Sequence, residues 1–198
     1  MKVMFVEAKK KINMDLDSID FSILPKQVFI AYSIQFEELA EIIKKKLGKR
    51  IKGFQQVLGC SLLKSRYPIL LVGSGRFHAI NLALRGNLVY VLENMKISKL
   101  DDSEIVRIKG KRKAAISKFY AADRLGILVS TKPGQENLAS ALKVKKKLEK
   151  NKEISLFLGN NLNLEELENY DIDSWLNTSC QALTFDSRVA NLYDLENS

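Results

Sequence analysis

The stretch GILVSTKPGQENLASALKVKKKLEK, residues 126–150, decides how this chain folds. Its opening, Gly126 to Ser130, is an apolar run short enough for a buried strand. STKPGQ then breaks the run with a Pro-Gly turn, and the rest restores apolar residues at helical spacing with lysines at the tail. A second stretch has the same plan. FIAYSIQFEELAEIIKKKLGK, residues 29–49, runs strand, serine-bearing turn, glutamine and lysine-tailed helix. Its Phe36, Leu39, Ala40, Ile43 and Leu47 recur at helical spacing, and Gly48 stands where a C-terminal cap belongs. Two such units suggest two similar α/β domains joined near residues 98–112. The alternative is that any two strand–turn–helix units look alike in a lysine-rich chain.

Working outward, short β-like runs alternate with helical ones. KVMFVEA (2–8) reads as a strand and is followed by a polar connector with Asp15, Asp17, Ser18 and Asp20. VFIAYS (28–33) is a second strand. A basic helical segment leads to the loop QQVLGCSLLK (55–64). ILLVGSG (69–75) is a strand with a Gly-rich turn, HAINLALRG a short helix ending at Gly86, and NLVYVLEN another strand. KRKAAISKFYAADRLG (111–126) is a helix with Ile116, Phe119 and Tyr120 on or near one face. ISLFLG is a strand, LNLEELENY a short helix, and DSWLNTSC (173–180) the final strand. This alternation predicts an α/β class with parallel sheets. The first strand is an orphan: it must pair inside the first domain or be the remnant edge of something missing.

Composition narrows the class. The chain has 198 residues, 46% of them hydrophobic and 28% charged, enough for one large or two small globular domains. No apolar run approaches the roughly 20 residues of a membrane helix, and MKVMFVEAKKKI places its basic part after its apolar part, the reverse of a secretory signal. Two widely spaced cysteines form no disulfide framework, so a reducing, cytoplasmic setting is expected. The formal net charge is +9. Bases cluster at Lys44–Lys52, Arg107–Lys118 and Lys143–Lys152, whereas from Glu165 onward acids dominate and Arg188 is the only base. Such a balance points either to an RNA or ribosome-associated partner or to solvated faces of amphipathic helices. The basic stretches lack interleaved aromatics that would stack on bases.

Four features could carry chemistry. VGSGRFH (72–78) is a Gly-x-Gly turn between strand and helix, whose backbone N–H groups can cradle a carboxylate or phosphate. It lacks the third glycine of a dinucleotide fingerprint and also reads as a plain tight turn. His78, the only histidine, falls near that helix start as an acid, base or polar handle, or as a structural residue. STKPGQ offers Thr131, Lys132 and Gln135 at the C-terminal end of a strand, where open α/β sheets bind ligands. Cys60 and Cys180 are either two unrelated buried thiols or two ligands of one site. Two thiolates are too few for a complete iron–sulfur site, which takes about four ligands.

Taken in order, QVLGCS, GSGRFH, KRKAAISKFYAADRLGILVSTKPGQ and the cysteine loop after LNLEELENYDIDSWLNTSC resemble the archaeal diphthamide-biosynthesis enzyme family, 2-(3-amino-3-carboxypropyl)histidine synthase, from about residue 28 to residue 186. The resemblance implies three similar α/β domains, each giving one cysteine to a 4Fe–4S cluster whose open iron binds S-adenosylmethionine. It implies transfer of the 3-amino-3-carboxypropyl group to a histidine of translation elongation factor two, by a radical route distinct from deoxyadenosyl chemistry, in an oligomer. Residues 1–24 then correspond to a remnant strand and connector, 25–105 to the middle domain and 106–198 to the last domain. Cys60 matches the middle-domain cluster ligand and Cys180 that of the last domain. Gly73, Ser74, Gly75 and His78 match the glycine turn beside the middle cysteine, and Thr131 and Gln135 the turn lining the S-adenosylmethionine pocket. No residue is matched to a catalytic role.

The chain also departs from the family. The first domain and its cysteine are absent, so a separate chain is expected to supply them in a homo- or hetero-oligomer. Gln181 and Ala182 stand where the family has Pro-Arg after the last cysteine, Phe36 where it often has histidine, and Glu93-Asn94 where it has Asp-Pro. Two further readings follow: a non-catalytic accessory subunit of the synthase, or the fold reused as a basic RNA- or ribosome-binding module.

Overall fold

A computed structural model describes residues 4, 6, 16–163, 165–180 and 188–196. It divides into two compact units, Met1–Ile105 and Val106–Ser198. The strand expected over residues 2–8 lies outside the described residues apart from Met4 and Val6.

In the first unit, β1 (Val28–Tyr32) leads through a 3-10 turn into α1 (Glu37–Leu47). The helix buries Leu39, Ala40, Ile43 and Leu47, the stripe that its i, i+3, i+4 spacing requires, and Gly48 closes it at φ +51°. Next come β2 (Ile51–Gln56), β3 (Ile69–Val72), α2 (Arg76–Leu84), β4 (Val89–Glu93) and β5 (Lys96–Lys99). The sheet order is β2-β1-β3-β4-β5, parallel except for the β4–β5 hairpin. β3 is buried at every position, as expected of a strand covered on both faces. Ile19 and Leu24 bury in the same core as Ile30, Ile43 and Val72, so residues 16–24 pack with this unit. Arg50 fixes that segment by donating from Nη2 to the carbonyls of Leu24 (2.9 Å) and Pro25 (3.1 Å).

α3 is a single 20-residue helix, Asp102–Ala121. The second unit adds β6 (Arg124–Ser130), α4 (Leu138–Leu148), β7 (Glu153–Gly159), β8 (Ser174–Asn177), β9 (Val189–Asn191) and the short α5 (Leu192–Glu196). Its sheet is all parallel, in the order β7-β6-β8-β9. Taken in chain order this is the β2-β1-β3-β4 arrangement repeated, so the two quoted stretches occupy equivalent places as β1–α1 and β6–α4. In each sheet the order reverses beside the first strand, and open α/β sheets bind ligands outside the carboxyl ends of strands at that point.

Several expectations are corrected. The segment before QVLGC is not helical beyond Arg50: Ile51–Gln56 is the edge strand β2, with Gly53 lying under the Phe29 ring. DSWLNTSC is not the last strand, since β9 follows. LNLEELENY holds a 3-10 helix, Glu165–Asn169. In α3, Phe119 is buried with Ala115, whereas Tyr120 is exposed, because adjacent helical positions differ by about 100°.

Candidate functional site

Two of the sequence motifs meet in the first unit. Cys60 is exposed, in the loop after β2. Val57 donates its N–H to Tyr32 O (2.8 Å), which anchors the loop beside β1. Leu58 N donates to Ser61 Oγ (2.7 Å) and Ser61 N returns a bond to Leu58 O (3.0 Å), folding a tight turn around the cysteine. Gly59 sits on the Phe77 ring so closely that a Cβ there would lie 1.9 Å from Cε1. QVLGCS and GSGRFH therefore form one surface.

The glycine turn leaves β3 at its carboxyl end. Gly75 has φ +96° and caps α2, a conformation that favours glycine. Arg76 is held by Glu104 through Nε to Oε1 (3.0 Å) and Nη2 to Oε2 (2.5 Å), which raises the guanidinium pKa further. His78, in the first turn of α2, is half-buried with its ring edge-on to Phe77 at 5.8 Å. Burial holds its pKa below the usual imidazole value, so it is neutral near pH 7.

Opposite the turn, at the carboxyl end of β1, stands Ser33. It is 7% exposed, and its Oγ has no hydrogen-bond partner among the described residues. A Cβ on Gly73 would lie 3.1 Å from it. A buried hydroxyl with no partner is costly, by about 1–3 kcal/mol, and such a group in a native fold calls for a role. The matching hydroxyl in the second unit is occupied: Ser130 Oγ accepts the Lys132 N–H (3.1 Å), and the Ser130 N–H donates to Ser179 Oγ (2.7 Å). Gly73 and Ser33 thus lie in close approach, and the Ser33 hydroxyl is the polar group that the glycine turn leaves unbonded among the described residues. Sequence reasoning missed Ser33, although the repeat contains the signal: Ser33, directly after β1, and Ser130, the last residue of β6, are the matching serines of the two quoted stretches.

In the second unit, Thr131 and Gln135 lie at the carboxyl end of β6 and are exposed. Thr131 N donates to Gly159 O (3.0 Å), Gln135 N to Lys132 O (3.0 Å) and Lys132 N to Ser130 Oγ (3.1 Å). Gly134 takes φ +77°. Cys180 is half-buried after β8, at the same end of the same sheet. Its loop is tied to β6 by the Ser130–Ser179 bond and by Thr178, whose N–H (3.2 Å) and Oγ1 (2.9 Å) both donate to Leu128 O. The two cysteines do not occupy equivalent loops: Cys60 follows the second strand of its unit and Cys180 the third strand of its own. Gln181 and Ala182 lie outside the described residues. Among the described residues no group of three or more His, Cys, Asp or Glu side chains is placed to hold a metal ion.

The model of the diphthamide synthesis protein family matches residues 1–193. The chain belongs to that family. It is 35% identical over 144 residues to the 2-(3-amino-3-carboxypropyl)histidine synthase of Pyrococcus horikoshii, covering 69% of this chain and 41% of the relative. It is 29% identical over 171 residues to the enzyme of that name from Methanocaldococcus jannaschii, covering 83% and 47%. Among solved structures it superposes on Dph2 from Pyrococcus horikoshii with a 4Fe-4S cluster at a TM-score of 0.73 and 26% identity, over 88% of this chain and 57% of that one. The chain thus spans about half the length of the curated diphthamide synthesis relatives that it matches. None of its described helices is long and apolar enough to cross a membrane.

Proposed function

We propose that this chain supplies the middle and last domains of a 2-(3-amino-3-carboxypropyl)histidine synthase. That enzyme carries out the first step of diphthamide formation, transfer of the 3-amino-3-carboxypropyl group from S-adenosylmethionine to a histidine of translation elongation factor two. The observation that carries this reading is the Gly59–Phe77 packing, which joins the cysteine loop to the glycine turn beside the orphan Ser33 hydroxyl. Cys60 and Cys180 each give a thiolate to a 4Fe–4S cluster. Because a cluster takes about four ligands, Cys60 and Cys180 would supply part of its ligation and the rest would come from other groups, S-adenosylmethionine among them. A cluster held there by Cys60 and Cys180 would supply one-electron reducing chemistry for cleavage of the sulfonium.

The residues of this chain bind and orient. Ser33 Oγ and the backbone of Gly73, Ser74 and Gly75 hold a polar end of the cofactor, with neutral His78 at the edge of the same turn. Thr131 and Gln135 line the S-adenosylmethionine pocket from the turn after β6. Free thiols suit a reducing compartment, so the protein works in the cytoplasm.

A second reading, a non-catalytic subunit that supports a catalytic partner, is favoured by Gln181 and Ala182 replacing the family's Pro-Arg. Strictly anaerobic purification from native cells, with iron and sulfide assay and mass spectrometry of co-purifying chains, separates the two. The synthase reading expects about four irons per complex, lost in Cys60→Ser and in Cys180→Ser together with transfer to the elongation factor. Unchanged modification in both serine variants supports the accessory role and overturns the catalytic one.

A further inference from the structure

The loop that carries Cys180 is held by a directional chain of side chains that begins on another element. Asn177, the last residue of β8, is 1% exposed and uses its whole carboxamide. Its Oδ1 accepts the Ser179 N–H (2.9 Å), and its Nδ2 donates both to the Cys180 carbonyl (3.0 Å) and to Asn191 Oδ1 (3.0 Å). Asn191, 2% exposed on β9, donates from Nδ2 to Asp194 Oδ2 (3.2 Å). Asp194 Oδ1 accepts from Arg112 Nη1 (3.1 Å), both side chains being 13% exposed.

The polarity of this chain is fixed at both ends. The Ser179 N–H can only donate, so Asn177 must turn Oδ1 to it and Nδ2 toward Cys180 and Asn191. The Asp194 carboxylate can only accept, so Asn191 must turn Nδ2 to it and Oδ1 toward Asn177. Each carboxamide therefore has one permitted orientation, and both orientations end on the same peptide carbonyl. Carboxamides bonded through both their oxygen and their nitrogen, as Asn177 and Asn191 are, hold one geometry in a buried network.

We infer that Asn177 is the positioning residue of Cys180, and that Asn191, Asp194 and Arg112 set the direction of its donor. This rests on the reading of Cys180 as an iron ligand for its use, though not for its existence. It assigns Asn177 a role like the outer-shell hydrogen bonds that orient metal ligands.

The test uses the full chain with Cys60 as internal control. Alkylation of the two thiols by iodoacetamide is followed by mass spectrometry, and the Cys180:Cys60 rate ratio is compared in wild type, Asn177→Ala and Asn177→Asp. The carboxylate introduced by Asn177→Asp would still accept the Ser179 N–H but would face the Cys180 carbonyl and Asn191 Oδ1 with an acceptor. Positioning by the donor predicts that both variants raise the ratio by at least about fivefold, the loss of one buried hydrogen bond, with secondary structure retained by circular dichroism. An Asn177→Asp variant with the wild-type ratio, or an unchanged ratio in both, overturns the inference. In the anaerobically isolated complex, both variants should also shift the charge-transfer absorption of thiolate-bound iron. If Cys180→Ser leaves the iron intact, the ligand reading fails while the alkylation ratio still decides the positioning role.

Discussion

Gly59 and Phe77 are in contact with no room between them: a Cβ at position 59 would overlap the ring at 1.9 Å from Cε1 and 2.7 Å from Cδ1. Only a residue without a side chain lets the peptide before Cys60 lie on that face. Gly59→Ala should force the ring or the loop to move, at about 1–3 kcal/mol, and should change the alkylation rate of Cys60 but not that of Cys180. Phe77→Ala combined with Gly59→Ala should cost less than the sum of the two single changes, since the clash has one cause. Additive costs in a double-mutant cycle of chemical denaturation would show that the contact is not made.

Ser33 should behave as a residue kept for binding rather than stability. Ser33→Ala removes a buried hydroxyl that has no partner among the described residues, so the ligand-free protein should be as stable as wild type or more stable by about 1 kcal/mol. The same change should weaken S-adenosylmethionine binding, measured by calorimetry on the anaerobic complex. Lower stability together with unchanged affinity would place the hydroxyl in the fold and not in the site.

Much of this arrangement was legible in the sequence, and the gaps have physical causes. The strand–turn–helix units stood out because buried strands such as Ile69–Val72 are uniformly apolar and α1 keeps a clean stripe. β2 was not readable because it is an edge strand with Lys52, Gln55 and Gln56 exposed, and its polar composition follows a basic helix. β5 was hidden by its turn. Asn94 and Met95 both take positive φ, +48° and +65°, the two-residue geometry usually announced by Asn-Gly; Asn-Met gives no such signal. That geometry also explains the departure at Glu93-Asn94, since proline cannot adopt the φ of Asn94. The paired motifs around Cys60 came from resemblance, but their contact through Gly59 needed coordinates, as did the Asn177 network, whose members lie on four separate elements.

Met95 carries the strain of that hairpin. An L side chain in the left-handed region costs about 1 kcal/mol, and Met95→Gly should return a similar amount, seen as a higher midpoint in denaturant for the first unit with no effect on either thiol's reactivity. A destabilised Gly variant would mean that the packing of Met95 against the core outweighs its backbone strain.

His78 offers a clean titration because it is the only histidine. Its imidazole resonances in proton NMR should show a midpoint below the usual value of 6.5, owing to burial. A base whose folded pKa is depressed binds fewer protons when folded, so its contribution to stability is complete above about 6.5 and declines as pH falls below it. A midpoint at or above 6.5 would mean that the ring is solvated or paired with a carboxylate.

Arg124 and Asp173 pair at the start of the second sheet. Arg124 donates from Nη2 to Asp173 Oδ1 (2.8 Å) and from its backbone N–H to Oδ2 (2.9 Å), while Asp173 N–H returns a bond to Arg124 O (3.0 Å). Arg124 also pairs with Asp171. These bonds, the guanidinium first, lower the Asp173 carboxyl from 3.8 to about 2. Because the folded pKa lies below the unfolded one, the stabilisation is complete above about 4, falls as pH drops through the interval, and is gone below about 2. Asp173→Asn keeps an acceptor for the backbone N–H but cannot titrate. Trp175, the single tryptophan, is 5% exposed beside this site, so its fluorescence reports unfolding of this unit alone. Between about pH 4 and pH 2 the wild-type midpoint in urea should fall more steeply than that of the Asn variant. Parallel slopes would show that the pair does not hold in solution.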